Sequence, residues 1–441
     1  MTQTPSSSAG RWLAGGLALL GAVAAFFVYS SRAEPADLPR DADQVSPSAE
    51  FANAAESADY YRAWLDREPG AVEPRVRLAQ VMMQLARETG READYIPEAD
   101  RLLDEAIERE PDHYYALTLR AALDNTLHRF ESARDLSLRL IERFPQHSFT
   151  HGTLIDALVE LGEYDDAIEA SDRLQRLRPG LPAYARASYL RELTGDTDGA
   201  IAAMRLAVDA EGPGRVARSW AALKLGELYL GDARPDTAAF IFQALLDEDP
   251  DFTPARAALG HVALVRGDAA EAVRLLEAAN AERPSATTDE ILVEAYTAVG
   301  DAARAEAASE RVLADLHAAR AFGENVDMEE ADFLADGDRD LERALQMATE
   351  QQARRPGHMH ANETLAWTLY KLDRADEAVP YIDRAMRLDT GDAMVLYRAG
   401  RIYGAAGQPD RSARLLRAAL DGHLHVESPS AARDARERLS S

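Results

Sequence analysis

The 441-residue chain contains no cysteine and only two lysines, Lys224 and Lys371. The lack of cysteine excludes disulfide bonds, thiolate metal sites, a cysteine nucleophile and a lipidated N-terminal cysteine. Acidic residues outnumber basic ones, so that the formal net charge is −27 at pH 7. A chain this acidic lacks the basic face needed to bind nucleic acid phosphates. We therefore expect no nucleic acid partner, and we expect the acidity to serve either solubility or a basic partner.

Motifs for catalysis and cofactor binding are also missing. The chain contains no HExxH, GxSxG, phosphate-loop or dinucleotide fingerprint. The only paired histidines are His358 with His360 and His423 with His425. Two histidines make an incomplete zinc site, so we interpret both pairs as turn residues. We expect no catalytic residue, no cofactor, no metal ion and no small-molecule substrate.

An uncharged apolar run extends from Trp12 to Tyr29 near the N-terminus. As a helix, its eighteen residues span about 27 Å, just short of a typical hydrocarbon core. The aromatic residues at its two ends stand where membrane interfaces favour them. We predict a transmembrane signal anchor at residues 12–30, preceded by a short tail at residues 1–11.

The side of the membrane on which the C-terminal body lies follows less directly from the sequence. A short tail inside and a large C-terminal body outside the cytoplasm, in the periplasm, is the usual outcome for such an anchor. The alternative is a secreted protein whose signal peptide is cleaved after Ala33, where small residues flank an arginine. Residues 31–54 are rich in Ala, Pro, Ser and Asp without apolar periodicity, which predicts a flexible acidic linker.

Ten small residues recur at intervals of 33 to 39 residues through the rest of the chain, and a proline follows six of them by twelve residues. We call these ten positions the ladder: Ala99, Ala133, Ala167, Ala200, Ala238, Ala272, Ala305, Ala344, Ala378 and Ser412. A period in this range indicates one supersecondary unit stacked many times. A stacked solenoid offers an extended binding surface and not a preformed catalytic pocket.

Each unit combines two amphipathic helices with a short turn, as residues 219–252 illustrate. Gly226 and Tyr229 lie on the first predicted helix, where the glycine permits close approach of a second helix. Ala238 lies on that second helix, and Pro250 ends the unit. These residues resemble the 34-residue tetratricopeptide repeat.

The resemblance covers residues 55–425. It implies an all-α fold, a right-handed superhelical solenoid of about ten helix-turn-helix repeats that follows the transmembrane helix. Two longer gaps in the ladder, near 210–216 and 315–335, predict either kinks or extended turns. Residues 426–441 are expected to form a polar capping helix that covers the last apolar face.

The first helices of such repeats, as the resemblance implies, line a concave groove. Counting back 11 and 15 residues from the ladder gives positions that are acidic in the middle of the chain and aromatic toward its end. Neither set holds lysine or asparagine, so the clamp with which related proteins hold acidic chaperone tails is absent. Ordinary packing between helices is the alternative role for Trp367. The candidate groove residues are Glu227, His261, Glu294, Trp367, Tyr370, Tyr397 and Arg401.

Together these features predict a membrane-anchored, non-catalytic scaffold or adaptor. Its partner would be a protein or peptide with basic and apolar residues, bound in the groove, because aromatic and arginine side chains dominate interface energetics. Two alternatives stay open: a periplasmic assembly or biogenesis chaperone, and a regulatory subunit of a separately encoded enzyme.

Overall fold

The computed structural model describes residues 54–212 and 216–440. In these two stretches the chain forms 23 α-helices, one short 3₁₀ helix and no strand, which confirms the predicted all-α class. The predicted tail, the anchor and nearly all of the linker lie outside the described residues. Within 54–212 and 216–440, no helix combines the length and the apolar composition that crossing a membrane requires.

Twenty of the helices form ten consecutive pairs, and each helix packs against its neighbours along the chain. The first helices are α2 (Glu73–Thr89), α4 (Tyr114–Thr126), α6 (Ser148–Leu161), α8 (Leu181–Leu193), α10 (Val216–Gly231), α12 (Thr253–Val265), α14 (Ala286–Ala298), α16 (Asp327–Asp336), α18 (Met359–Lys371) and α20 (Ala393–Ala405). The second helices are α3 (Glu92–Arg109), α5 (Phe130–Arg143), α7 (Tyr164–Leu177), α9 (Thr197–Asp209), α11 (Pro235–Glu248), α13 (Ala269–Glu282), α15 (Ala302–Ala321), α17 (Leu341–Arg354), α19 (Ala375–Ala385) and α21 (Pro409–Asp421). Helix α1 (Ala54–Arg67) precedes the pairs, and α22 (Leu424–Glu427) and α23 (Pro429–Ser440) follow them.

Every ladder residue lies on the second helix of a pair, one in each of the ten pairs. The nine alanines are at most 9% exposed, and Ser412 is partly buried. A side chain no larger than alanine lets the second helix approach the helices packed against it. The ladder therefore marks the packing core of each repeat, as the period predicts.

Gly226 shows why each first helix also carries a small residue. A Cβ atom on Gly226 of α10 would lie 2.3 Å from Cε1 of Phe242 on α11. Phe242 is completely buried, so the aromatic ring fills the space that the missing side chain leaves. The predicted close approach of the two helices at this glycine is confirmed.

The second long gap in the ladder coincides with an unusually long helix. Helix α15 has 20 residues, and the following first helix, α16, has only 10. The first long gap includes residues 213–215, which lie outside the described part of the chain. A kink at either gap stays a prediction.

The solenoid curves enough for residues about 195 positions apart in sequence to touch. Gly162 ends α6 with a φ of +75°, and a Cβ there would lie 2.1 Å from the carbonyl carbon of Gly357. The Tyr164 hydroxyl accepts a hydrogen bond of 2.9 Å from the backbone N–H of Met359, 195 residues away. The late repeats therefore pack directly against the early ones. Similar contacts join Gly90 to Arg283, His128 to Asn325 and Gly195 to Gly391.

Candidate functional site

The seven candidate groove residues all lie on first helices: Glu227 on α10, His261 on α12, Glu294 on α14, Trp367 and Tyr370 on α18, and Tyr397 and Arg401 on α20. Helices α10 and α20, which carry the first and the last of these residues, both contact one stretch of chain, Leu424–Ser440, which we call the C-terminal segment. Since separate first helices meet the same segment, their inner faces border one shared interior. We call these inner faces of α10 to α20 the concave surface.

His261 and Glu294 bind the start of the C-terminal segment. The Nε2–H of His261 donates a 3.0 Å hydrogen bond to the carbonyl oxygen of Val426, 165 residues away. Glu294 Oε1 accepts hydrogen bonds from the hydroxyls of Ser428, at 2.9 Å, and Ser430, at 3.0 Å. Both concave residues are buried, at 6% and 3% exposure. The segment thus lies against two consecutive repeats at equivalent positions, 11 residues before each ladder alanine.

Tyr397 and Arg401 bind the same segment further along, at Asp434. The Asp434 carboxylate accepts hydrogen bonds from the Tyr397 hydroxyl, at 2.9 Å, and from Arg401 Nη1, at 2.8 Å. Arg401 Nη2 also donates to the Tyr370 hydroxyl at 2.6 Å. Burial raises the pKa of Tyr397; the Arg401 guanidinium opposes the rise, and nearby Asp434 adds to it.

Trp367 completes an aromatic patch beneath α23. Its ring stacks on Tyr370 with centroids 4.8 Å apart, and its Nε1–H donates to Asp336 at 2.7 Å. Trp367 is 2% exposed and shares a packed cluster with Tyr397 and with the alanines on the inner side of α23. In this structure Trp367 therefore serves as packing between helices and as a hydrogen-bond donor. The alanines concerned are Ala431, Ala432 and Ala435.

Glu227 pairs with a lysine of its own helix rather than with the C-terminal segment. Its carboxylate accepts a 2.7 Å hydrogen bond from Lys224, one turn earlier on α10. Burial raises the pKa of Glu227, and the Lys224 ammonium opposes that rise. Six of the seven candidates thus gather around the segment, and Glu227 belongs to a separate ion pair.

Sequence reasoning missed Arg398, which is fully buried on α20 among three carboxylates. It donates to Asp332 and to both oxygens of Asp336 at 2.7 Å, and to Glu363 at 3.3 Å. Burial opposes the charge, yet these carboxylates keep the pKa of Arg398 above its ordinary value. The arrangement ties α16, α18 and α20 together across three repeats.

Glu290, one turn before Glu294 on α14, lies close to this cluster without a cation of its own. It is 6% exposed, and its Oε2 has no hydrogen-bond partner. Burial, followed by the charges of Asp332 and Asp336, raises the pKa of Glu290 well above its ordinary value. Among the residues that the structure describes, no basic side chain pairs with Glu290. Burial beside these aspartates therefore favours the protonated, neutral form of Glu290.

The paired histidines lie at helix starts. Nδ1 of His358 accepts a hydrogen bond from the N–H of Ala361 and so caps α18. His423 directly precedes α22. Within 54–212 and 216–440, no group of three or more His, Asp or Glu side chains could hold a metal ion.

Comparison with known proteins identifies tetratricopeptide repeats in two parts of the chain. Two family models, each described as a tetratricopeptide repeat, match residues 153–216 and 229–289. No curated protein matches the chain. Tetratricopeptide-repeat proteins generally act as scaffolds for protein–protein interactions.

Solved structures of repeat proteins also resemble the chain. A thermophilic tetratricopeptide-repeat protein of Thermus thermophilus is 21% identical, with a TM-score of 0.39, over 44% of this chain and 100% of that one. A chain of the APC/C hetero-tetramer Cut9–Hcn1 is 15% identical, with a TM-score of 0.39, over 91% of this chain and 97% of that one.

Proposed function

We propose that this protein is a membrane-anchored, non-catalytic scaffold that binds a segment of a protein partner on its concave surface. The observation that carries the proposal is the C-terminal segment itself, a stretch of polypeptide held there by first helices of four repeats. A backbone carbonyl of that segment accepts from His261, and its side chains meet complementary groups at Glu294 and Arg401. A surface with these contacts has the chemistry to hold a segment of another protein.

The charges on the concave surface favour a partner with basic and apolar residues. Glu290 is buried beside Asp332 and Asp336, whereas Arg398 is the cation that faces those two aspartates. A lysine or arginine from a partner would favour the ionised form of Glu290, which burial and the neighbouring aspartates otherwise disfavour. The partly exposed ring of Tyr370, stacked on the buried Trp367, lies nearby to meet apolar side chains.

The membrane part of the proposal rests on the sequence at residues 12–30. That segment is apolar and as a helix comes close to the thickness of a hydrocarbon core, and the acidic linker at 31–54 would hold the repeats away from the lipid. We place the repeats outside the cytoplasm. Membrane fractionation with N-terminal sequencing tests this: a chain that begins at Glu34 or later in the soluble fraction would refute the anchor.

Binding of short peptides tests the partner chemistry. The probes are fluorescein-labelled 12-residue peptides with four copies of Ala-Arg-Leu, Ala-Gln-Leu or Ala-Glu-Leu, measured by fluorescence polarisation at two salt concentrations. We expect the arginine peptide to bind most tightly. Binding as tight by the glutamate peptide would contradict the proposal.

A pair of variants separates the site from the overall negative charge of the chain. Glu294→Gln removes a concave carboxylate but keeps an oxygen that accepts from Ser428 and Ser430, so the C-terminal segment stays in place. Asp376→Asn removes the same charge at an exposed position on α19. We expect Glu294→Gln to weaken binding of the arginine peptide about tenfold, as loss of a charge-assisted hydrogen bond does. Asp376→Asn should leave the affinity for that peptide unchanged. Equal effects would show that only net charge matters.

A further inference from the structure

A histidine lies at the contact between the early and the late repeats. His128 follows α4, its side chain is 13% exposed, and it meets the turn between α15 and α16, 197 residues away. Its ring nitrogen Nδ1 lies 2.9 Å from the carbonyl oxygen of Asn325. Because a carbonyl oxygen can only accept, Nδ1 carries a hydrogen and donates it. In the opposite direction, the N–H of Asn325 donates to the carbonyl oxygen of Leu127 at 3.3 Å.

Two carboxylates of the late repeats face the same ring. Nε2 of His128 lies 3.6 Å from Oε1 of Glu324, and Nδ1 lies 3.9 Å from Oε1 of Glu329. Since Nδ1 holds the hydrogen of the neutral ring, a neutral Nε2 would present its lone pair to the carboxylate of Glu324. A proton on Nε2 replaces that repulsion with an ion pair. Among the residues that the structure describes, neither oxygen of the buried Glu329 has a hydrogen-bond partner. The positive ring therefore suits both carboxylates, and the neutral ring suits neither.

A carboxylate of the early repeats reaches the late repeats beside this histidine. Oε2 of Glu160, on α6, lies 3.5 Å from Nη1 of Arg355 and 3.7 Å from Nε2 of His358. Arg129, next to His128 in sequence, pairs with aspartates of the early repeats and not with the late ones. The charged and titratable groups around the contact are therefore Glu160, Glu324, Glu329, Arg129, Arg355 and His358, with His360 and Glu92 farther out.

These surroundings couple the contact to protons. Burial opposes a charge on His128, yet Glu329 and Glu324 raise its pKa above the ordinary value of 6.5. Burial also raises the pKa of Glu160 and of Glu324. If the early and late repeats separated, water would return these groups to their ordinary pKa values. The joined arrangement thus binds more protons, so the contact is fully stabilised below pH 6.5 and weakens as pH rises through the raised pKa of His128.

Loosening this contact would change the winding of the solenoid and not the fold of a helix pair. The repeats of a solenoid depend for their folding on their neighbours along the chain. Contacts between distant repeats, such as those of His128, set how tightly the superhelix is wound. The late side of this contact includes α16 and α18, which also belong to the concave surface.

We propose that His128 is a pH-sensitive clasp. With its ring protonated it holds Glu324 and Glu329 of the late repeats against α4 and α6, and on deprotonation the early and late repeats move apart. The clasp would thereby set the distance between the concave surface and the early repeats. This inference goes beyond the proposed function and does not depend on it.

The lack of cysteine in the chain lets two spin labels report the movement. Glu131→Cys on α5 and Glu350→Cys on α17 place the labels at exposed positions on the two sides of the contact. Double electron–electron resonance measures the distance between them in the full-length protein from pH 6 to pH 9. We expect a population with a longer distance to grow as pH rises, with its midpoint above pH 6.5. A distance distribution that stays the same across this range would overturn the clasp.

Two histidine variants assign the movement to position 128. His128→Asn accepts the left-handed φ of +55° and keeps an N–H for Asn325, but it cannot take up a proton. We expect this variant to show the longer distance already at pH 6, without further change at higher pH. His317→Gln is the control, because His317 is exposed and lies 3.4 Å from Glu330 within the late repeats. It should keep the pH response of the unaltered protein, and the same response in His128→Asn would overturn the clasp.

Glu329→Gln provides a test that keeps the histidine, in case His128→Asn does not fold. Removing one of the two facing carboxylates lowers the pKa of His128, so the midpoint of the distance change should fall by about one pH unit. An unchanged midpoint would overturn the clasp, and circular dichroism checks that the helices persist at both ends of the pH range. No partner peptide enters these measurements. Their failure would therefore leave the proposed function standing, and failure of peptide binding would leave the clasp standing.

Discussion

The Glu294 carboxylate accepts a 2.9 Å hydrogen bond from the hydroxyl of Ser428, 134 residues further along the chain. Glu294 lies in the seventh helix pair, and Ser428 follows the tenth. This bond joins the end of the chain to the inner face of an earlier repeat. The concave surface therefore already holds another stretch of polypeptide through its side chains in this conformation.

The contact between early and late repeats at Gly162 should be essential for stability. Replacing Gly162 with alanine forces a left-handed φ on a residue with a Cβ and drives that atom toward Gly357. We expect a loss of about 2–4 kcal/mol in the free energy of unfolding, from backbone strain and overpacking together. Urea denaturation measures it.

Gly267 provides the matched control for this substitution. Its φ is +83°, but nothing lies within 4 Å of the position of a Cβ. Gly267→Ala should therefore show only the backbone strain, about 1–2 kcal/mol. Equal losses for the two variants would mean that the contact at Gly357 contributes nothing.

The buried arginine at position 398 should be among the most sensitive residues of the chain. Arg398→Met leaves the carboxylates of Asp332, Asp336 and Glu363 buried without their shared cation. Breaking such a buried group typically costs about 3–5 kcal/mol. We expect that loss in urea denaturation at pH 7. Adding Asp336→Asn should recover part of it, and a double variant no more stable than Arg398→Met would contradict this account of the cluster.

How much of the fold and of the concave surface could be predicted from the sequence depends on how far apart along the chain the interacting residues lie. The ladder predicted the second helix of each pair, because small residues at a fixed period report packing within and between neighbouring pairs. Counting back from the ladder also found His261 and Glu294 on inner faces. These features depend on residues less than one repeat apart.

The occupant of the concave surface could not be predicted in the same way. Whether Ser428 reaches Glu294 depends on the curvature summed over several repeats, which no local pattern encodes. The C-terminal segment was expected to be a polar cap on the last apolar face, and its polar composition gave no sign of the contacts with α12 and α14.

Arg398, in contrast, left a usable signal in the sequence. It lies 14 residues before its ladder position, and so do Arg186 and Lys224. Arg186 is buried against Asp156 with both oxygens bound, at 2.7 and 2.6 Å. A basic residue at this offset indicates a buried cation: Arg186 and Arg398 join first helices, whereas Lys224 pairs with Glu227 of its own helix.

The pKa of Glu192 predicts a loss of stability toward alkaline pH. Burial raises that pKa to about 8, so the folded protein keeps this proton at pH values where the unfolded chain, with an ordinary value near 4.5, has lost it. The unfolded state binds fewer protons across this range, and stability therefore falls as pH rises from about 4.5 to 8. Glu192→Gln should raise the melting temperature at pH 8.5 and have little effect at pH 4.5.

The exposed Glu169 on α7 serves as the control for this pH dependence. Glu169→Gln removes the same charge without a buried environment. If both variants shift the melting temperature equally at pH 8.5, net charge and not burial explains the effect.

His261 predicts the opposite dependence on the acidic side. Burial lowers the pKa of His261 to about 4 despite the hydrogen bond to Val426. In the unfolded chain the imidazole takes up a proton near pH 6.5, so the folded state loses stability as pH falls from about 6.5 to 4. His261→Gln keeps an N–H donor and removes the titration. Its melting temperature should fall less than that of the unaltered protein between pH 7 and 5. Equal decreases in the two proteins would show that His261 does not cause this loss of stability.

Hydrogen exchange of the C-terminal segment tests the central claim most directly. Mass spectrometry would follow the backbone amides of residues 424–440 in the full-length protein, with and without saturating Ala-Arg-Leu peptide. If a basic partner segment binds the concave surface, the exchange rates of these amides and of the first helices α12, α14, α18 and α20 change in the complex, while the second helices keep their protection. Unchanged exchange of residues 424–440 and of those four first helices with the peptide bound would contradict the account.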